Sequence, residues 1–218
     1  MLGRDDSALP PRAAALAALA TTLTAEPWTL GPHHLDAVAR QGLDPGQIEA
    51  AITVVAMFNY FTRVADATGI EFDYPTPLPA FEPDTCRVPA PRPTAAPAPP
   101  ALVLPASPGL RNAWSTWRAY VLDSDEPLSR QERHLAAAVA AEESAGWTSP
   151  VPAPPPADEP LVTFARQLSR APWSMQLTNL DALRSHGYPD PAILHLISVV
   201  AHQNATTRLH TGLNQLRP

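Results

Sequence analysis

Two pairs of polar residues stand inside the most apolar stretches of this chain. Asn59 and Arg63 lie in "VVAMFNYFTR", and Asn204 and Arg208 recur at the same spacing in "VVAHQNATTR". An amide and a guanidinium four residues apart share one helical face and supply several N–H donors. They can bind an anionic substrate or hold the free carbonyls of a buried turn. Helical-hairpin spacing favours the second use, a polar clamp on residues 24–28 and 169–173.

Three histidines of the second stretch also share a face. His195, His202 and His210 follow one another at roughly 10–12 Å along a helix, too far apart to ligate one metal ion. They indicate either a less buried face or a polar cavity in which His202 acts as an acid–base group. No metal or cofactor site is predicted.

Composition excludes several kinds of chemistry. All 15 basic residues are Arg, which rules out a lysine Schiff base, lysine-bound pyridoxal and a Walker-type phosphate loop. Cys86 is the one cysteine, so we expect neither an internal disulfide nor a cysteine metal site. The net charge of −6 argues against nucleic-acid and anionic-membrane partners. With neither a signal peptide nor a membrane-spanning stretch predicted, we expect a cytoplasmic protein.

These residues belong to a pattern that occurs twice. Shifting the sequence by 145 residues aligns 27–69 with 172–214, and 14 of the 43 positions are identical without a gap. Each copy predicts three helices, over 11–24, 31–42 and 44–69, and over 160–170, 175–187 and 190–213. Asp44 and Pro45 are typical of a helix start, and Gly42 and Gly69 of helix ends. We expect the two copies to pack about a pseudo-twofold axis.

The rest of the chain separates the copies. Residues 75–108 carry 12 prolines and predict either a surface strap or a mobile linker. Two more helices follow, one after Pro108 and one over 127–146, before a second proline-rich loop. The prediction is an all-α protein of about eight helices. Its parts are an N-terminal repeat over 1–74, a linker over 75–106 and a helical region over 107–218 that contains the second copy, 157–218.

The repeated unit, "PW" followed by "LDAL", Gly and "VVA…N…R", resembles the C-terminal half of peroxidase-related proteins. These belong to the alkylhydroperoxidase (AhpD-like) and carboxymuconolactone decarboxylase superfamily. The resemblance implies an AhpD-like helical bundle that forms homo-oligomers. It places the family's relay glutamate at Glu132, its two redox cysteines at Ser144 and Trp147, and its histidine at Val151. Three of the four redox residues are therefore missing.

Thiol peroxidase chemistry needs a thiolate and a resolving thiol, which Ser144 and Trp147 cannot supply. We therefore expect a non-redox scaffold or binding protein, with a small-molecule ligand as one option. One alternative is an enzyme that uses Glu132, His134 or His202 for acid–base chemistry, as the decarboxylase branch implies. The other is a residual peroxidase that depends on Cys86. The sequence leaves open whether the chain is an enzyme.

Overall fold

The computed structural model describes residues 9–70, 90–93, 96–99, 101–148 and 159–217. The described part is all-α, as predicted. It contains helices α1 (Pro11–Ala25), α2 (Pro32–Ala39), α3 (Pro45–Thr68), α4 (Pro108–Leu122), α5 (Arg130–Ala145), α6 (Glu159–Arg170), α7 (Leu177–Ser185) and α8 (Asp190–Leu216). Two-residue strands β1 (Ala96–Pro97) and β2 (Trp147–Thr148) pair in parallel. Short 3₁₀ turns at Pro27–Thr29 and Pro172–Ser174 follow α1 and α6.

Local chemistry sets the ends of these helices. Asp44 caps α3 by accepting from the Gln47 amide at 2.9 Å, and Gly69 ends the helix with φ of 66°. Helix α5 begins at Arg130, three residues later than predicted from Pro127, because Ser129 accepts a hydrogen bond from the Glu132 amide. The shared Ser–Glu cap defines a sharper start than proline does.

Helices α3 and α8 lie antiparallel along each other at the centre of the molecule. A methyl group at Gly212 would come 2.5 Å from Ile52, so only glycine allows the two helices to approach this closely. One buried core forms around α5, α6, α7 and α8, and a second forms around α1, α2, α3 and the end of α8. The N-terminal segment (residues 11–70) and the C-terminal segment (159–217) thus share the central helix pair.

The described part of the proline-rich segment is a strap along the surface. The Ala96 amide donates to the Gly146 carbonyl at 3.0 Å, and the Val103 amide donates to His210 Nδ1 at 2.9 Å. Further on, the Ala106 amide donates to Glu49 Oε1 at 2.8 Å. The strap is therefore the correct one of the two predicted alternatives for residues 90–93, 96–99 and 101–107.

Within the described residues, α3 is long and apolar enough to cross a membrane by length and composition. The expectation that no stretch reaches that length was too strict, because the helix runs for 24 residues. Core helices of soluble proteins meet the same criterion, and α3 buries Asn59 and Arg63 against its neighbours.

Candidate functional sites

The Asn/Arg pairs meet at the central crossing of α3 and α8. Asn59 Nδ2 donates to Thr24 Oγ1 at 3.0 Å, in the turn expected for it. Arg63 Nη1 donates to Asn59 Oδ1 at 2.9 Å, but its Nη2 reaches the Ser169 carbonyl at 3.3 Å, in the other segment. The expectation that Arg63 contacts the 24–28 turn was therefore wrong.

The C-terminal segment makes the reciprocal contacts. Asn204 Nδ2 donates to Ser169 Oγ at 2.9 Å, within its own segment. Arg208 Nη2 crosses to the Thr24 carbonyl at 2.8 Å rather than to the 169–173 turn. Each Arg therefore donates to a carbonyl of the other segment's turn, so the two contacts are reciprocal across the α3–α8 pair.

Burial governs the charge of these arginines. It lowers the pKa of Arg63 to about 10, an effect that the nearby Asp66 carboxylate partly opposes. Burial, followed by the charge of Arg63, lowers the pKa of Arg208 well below its usual range. The Nε atoms of both side chains have no hydrogen-bond partner. The Nη atoms are committed to protein oxygens, which favours the structural clamp over the anion site.

Glu132 and His134 lie at the start of α5 and are not paired with each other in the described structure. Glu132 Oε2 accepts from the Ser129 amide at 2.9 Å and from Ser129 Oγ at 2.5 Å, so this carboxylate caps the helix. His134 is exposed on the first turn. Ser144, twelve residues after Glu132, lies about 18 Å further along the helix.

His202 lies in the apolar core against two neighbouring indoles. Its ring centroid is 4.5 Å from that of Trp117 and 6.0 Å from that of Trp114, and neither ring nitrogen has a hydrogen-bond partner. Burial, with a smaller contribution from Arg118, lowers its pKa to about 3. The imidazole is therefore neutral near pH 7, which does not suit a general base with a pKa near the working pH. His195 and His210 have separate neighbours, Tyr120 and Trp147.

The strap covers the positions where the resemblance places the thiols. Ser144 is buried and its Oγ donates to the Ala140 carbonyl at 2.6 Å. Trp147 belongs to β2 and pairs with Ala96 of the strap. Gly146 has φ of 70°, and a Cβ there would lie 2.1 Å from the Pro93 carbonyl oxygen. Val151 and Cys86 lie outside the described residues.

A charged cluster at the C-terminal end of α5 holds the strap against that helix. Buried Glu143 accepts hydrogen bonds from Arg92 of the strap and from Arg166 and Arg170 of α6. Burial alone would raise the pKa of Glu143, but hydrogen bonds from Arg92 and Arg170 lower it overall. An acid at a helix C-terminus, where the dipole disfavours it, is the sequence signal that an arginine partner exists.

A feature missed at the sequence level is an exposed apolar stripe, the α3 face, formed by Ala50, Val54, Phe58, Phe61 and Ala65. Val54, Phe58 and Phe61 are 55%, 63% and 54% exposed. The stripe runs into a groove of about 310 Å³ at the end of α3, lined by Ala65, Asp66, Gly69, Ile70, Pro172, Trp173 and Met175. Contiguous exposed apolar surface of this kind marks interaction sites.

No group of three or more His, Cys, Asp or Glu side chains that could hold a metal ion occurs among the residues with described positions. Comparison with known proteins gives no family model, no curated protein and no solved structure that matches this chain.

Proposed function

We propose that this chain is a non-redox scaffold that works by binding, built on an AhpD-like and carboxymuconolactone decarboxylase-like helical unit. The observation that carries this proposal is the use of the 144–147 region for packing. Ser144 is bonded to its own helix, and Trp147 is paired with the strap. The backbone at Gly146 is in contact with Pro93, so a substrate would have to displace the strap to reach this region.

Acid–base catalysis is the second candidate, and the unpartnered nitrogens of His202 are the observation in its favour. A proton carrier needs a pKa near the working pH and a path to its substrate. His202 has neither, because it is buried against two indoles with a pKa of about 3. Glu132 is engaged in capping α5. The scaffold hypothesis therefore requires fewer changes to the described structure.

The scaffold hypothesis predicts no thiol-dependent hydroperoxide reduction. Serine hydroxyl is far less acidic than a thiol and forms no sulfenic acid, and tryptophan cannot resolve one. The assay is hydroperoxide turnover with a dithiol reductant, run on the full chain and on Cys86→Ser. We expect both proteins to match the protein-free background.

Turnover that disappears in Cys86→Ser would contradict the hypothesis, because it would assign the peroxidase role to Cys86. Turnover that survives in Cys86→Ser but is lost in His202→Met would instead support chemistry centred on the buried histidine. Folded-state circular dichroism of each variant ensures that a loss of turnover reports chemistry rather than unfolding.

A further inference from the structure

The α3 face differs in one respect from the matching face of α8. In the alignment that pairs Asn59 with Asn204, its residues Val54, Phe58 and Phe61 match Val199, Gln203 and Thr206. Val199 is fully buried and Thr206 is 1% exposed, whereas their counterparts on α3 are more than half exposed. The two faces therefore have opposite solvent exposure at two of these three pairs of positions, Val54 with Val199 and Phe61 with Thr206.

Two helices account for the burial on α8. Val199 belongs to the core that contains Ala136 and Ala140 of α5. Trp114 of α4 donates its indole N–H to Thr206 Oγ1 at 3.3 Å. In the part of the chain that the structure describes, no helix occupies the equivalent place over Phe58 and Phe61, which remain exposed.

The polarity of the residues on the two faces is the reverse of what their solvent exposure predicts. The matching face on α8 carries half-buried Gln203 and buried Thr206, whereas the uncovered face on α3 carries Phe58 and Phe61. A solvent-facing stripe is expected to be polar. Two phenylalanines whose ring centroids lie 6.4 Å apart on a bare helix therefore indicate a surface that is covered in an assembly.

We propose that the α3 face binds the α3 face of a second copy of this chain, with the two helices antiparallel across a twofold axis. The covering of α8 by α5 shows that such a face accepts a helix lying along it. A second copy supplies a helix with an uncovered stripe of the same length. A twofold axis places Phe58 and Phe61 of each copy against each other, which makes the contact self-complementary.

Electrostatics is compatible with this pairing. The chain carries a net charge of −6, so two copies repel each other over most of their surfaces. Between Glu49 and Asp66 the one charged residue is Arg63, which is buried, and Glu49 is buried and paired with Arg217. The α3 face is therefore a surface on which two copies can meet without opposing like charges.

The size of the face sets the expected strength. A buried aromatic side chain removes roughly 150–250 Å² from water, so two half-exposed phenylalanines and their neighbours offer a few hundred Å² per copy. That lies below the roughly 800 Å² per partner of a standard interface. We therefore expect a reversible dimer with a dissociation constant of about 10–100 μM.

The test is sedimentation equilibrium of the full chain from about 1 μM to about 500 μM. The variant is Phe58→Gln with Phe61→Thr, which installs the residues of α8 at the same positions and leaves buried side chains intact. Its matched control is Leu110→Gln with Leu194→Thr, which removes two exposed leucines, 47% and 52% exposed, on α4 and α8. We expect wild type and control to dimerise and the Phe58/Phe61 variant to bind at least about tenfold more weakly.

A cross-linking experiment fixes the geometry. In a Cys86→Ser background, Phe61→Cys should form an interchain disulfide on mild oxidation, whereas Leu110→Cys should not. Wild type that stays monomeric throughout the range, or a dimer that the Phe58/Phe61 variant does not weaken, overturns the proposal. Monomeric wild type that binds phosphatidylcholine vesicles through these phenylalanines would overturn it in favour of a lipid surface.

This inference rests on the proposed scaffold function, but the two fail separately. A chain that dimerises and also turns over peroxide would contradict the scaffold function but support the interface. A chain that stays monomeric and shows no turnover would contradict the interface but support the non-redox function.

Discussion

At the scale of single residues, surroundings rather than residue type determine chemistry. Glu132 and Glu143 lie on one helix, yet Glu132 caps it and Glu143 binds three arginines. His202 is aligned with Met57, and it too has an apolar environment. A histidine that makes no hydrogen bond in such a place must fold in the neutral form, so its cost to stability depends on pH.

Replacing His202 by Met should remove part of the acid sensitivity of the fold. Histidine has a reference pKa of 6.5, and in the folded chain it is lowered to about 3. Between these values the unfolded chain binds a proton that the folded chain does not, so stability falls as the pH falls. From pH 6.5 to pH 5, wild type should lose about 1.6 kcal/mol more than His202→Met.

The measurement is urea unfolding of both proteins between pH 5 and pH 8. Above pH 7 the two curves should run parallel, because His202 is then neutral in both the folded and the unfolded chain. His195 and His210 remain in both proteins, so the difference between the curves isolates His202. Curves that stay parallel down to pH 5 would show that this histidine can be protonated in the folded chain.

At the scale of elements, a few single contacts hold the strap in position. Arg92 ties it to Glu143, and the Ala96 amide ties it to the Gly146 carbonyl. Gly146 ends α5 in the left-handed conformation, as Gly187 does after α7. The two glycines differ in one way, since only Gly146 has the strap backbone against its Cα.

Gly146→Ala should destabilise the protein more than Gly187→Ala. Both substitutions force a side chain into a positive φ, which costs roughly 1–2 kcal/mol. At Gly146 the new Cβ would also lie 2.1 Å from the Pro93 oxygen, whereas nothing lies within 4 Å at Gly187. The strap must therefore move, and amide exchange of Ala96 should accelerate in Gly146→Ala but not in Gly187→Ala. Equal exchange in the two variants would show that the strap adapts without opening.

At the scale of the whole molecule, local signals in the sequence predicted the helices but not how they pack. Asp44, Gly69 and the repeated spacing indicated α3 and α8 to within a few residues, since caps and periodicity are local. The common origin of the two segments stays a prediction. The crossed arginines could not be predicted from a hairpin within one segment, because they depend on how α3 packs against α8. The α3 face was missed for the same reason, since periodicity cannot show which face lacks a covering helix.

The crossed contacts predict that each central arginine supports the distant segment. Arg63→Ala removes the donor to the Ser169 carbonyl, and Arg208→Ala removes the donor to the Thr24 carbonyl. A buried acceptor left without its donor costs about 1–3 kcal/mol, so both variants should melt at lower temperature than wild type. Arg63 and Arg208 repel each other, so removing either one relieves this repulsion and offsets part of the cost.

Hydrogen exchange distinguishes this arrangement from a clamp within each segment. In Arg63→Ala, exchange should accelerate at the Ser174 and Met175 amides, which close the 3₁₀ turn of the C-terminal segment. In Arg208→Ala, it should accelerate instead at the Thr29 and Leu30 amides of the N-terminal segment. Each variant serves as the control for the other, because each removes one buried guanidinium from the α3–α8 crossing. Acceleration confined to the segment that carries the substitution would show that each arginine supports its own turn and that the halves are joined by apolar packing alone.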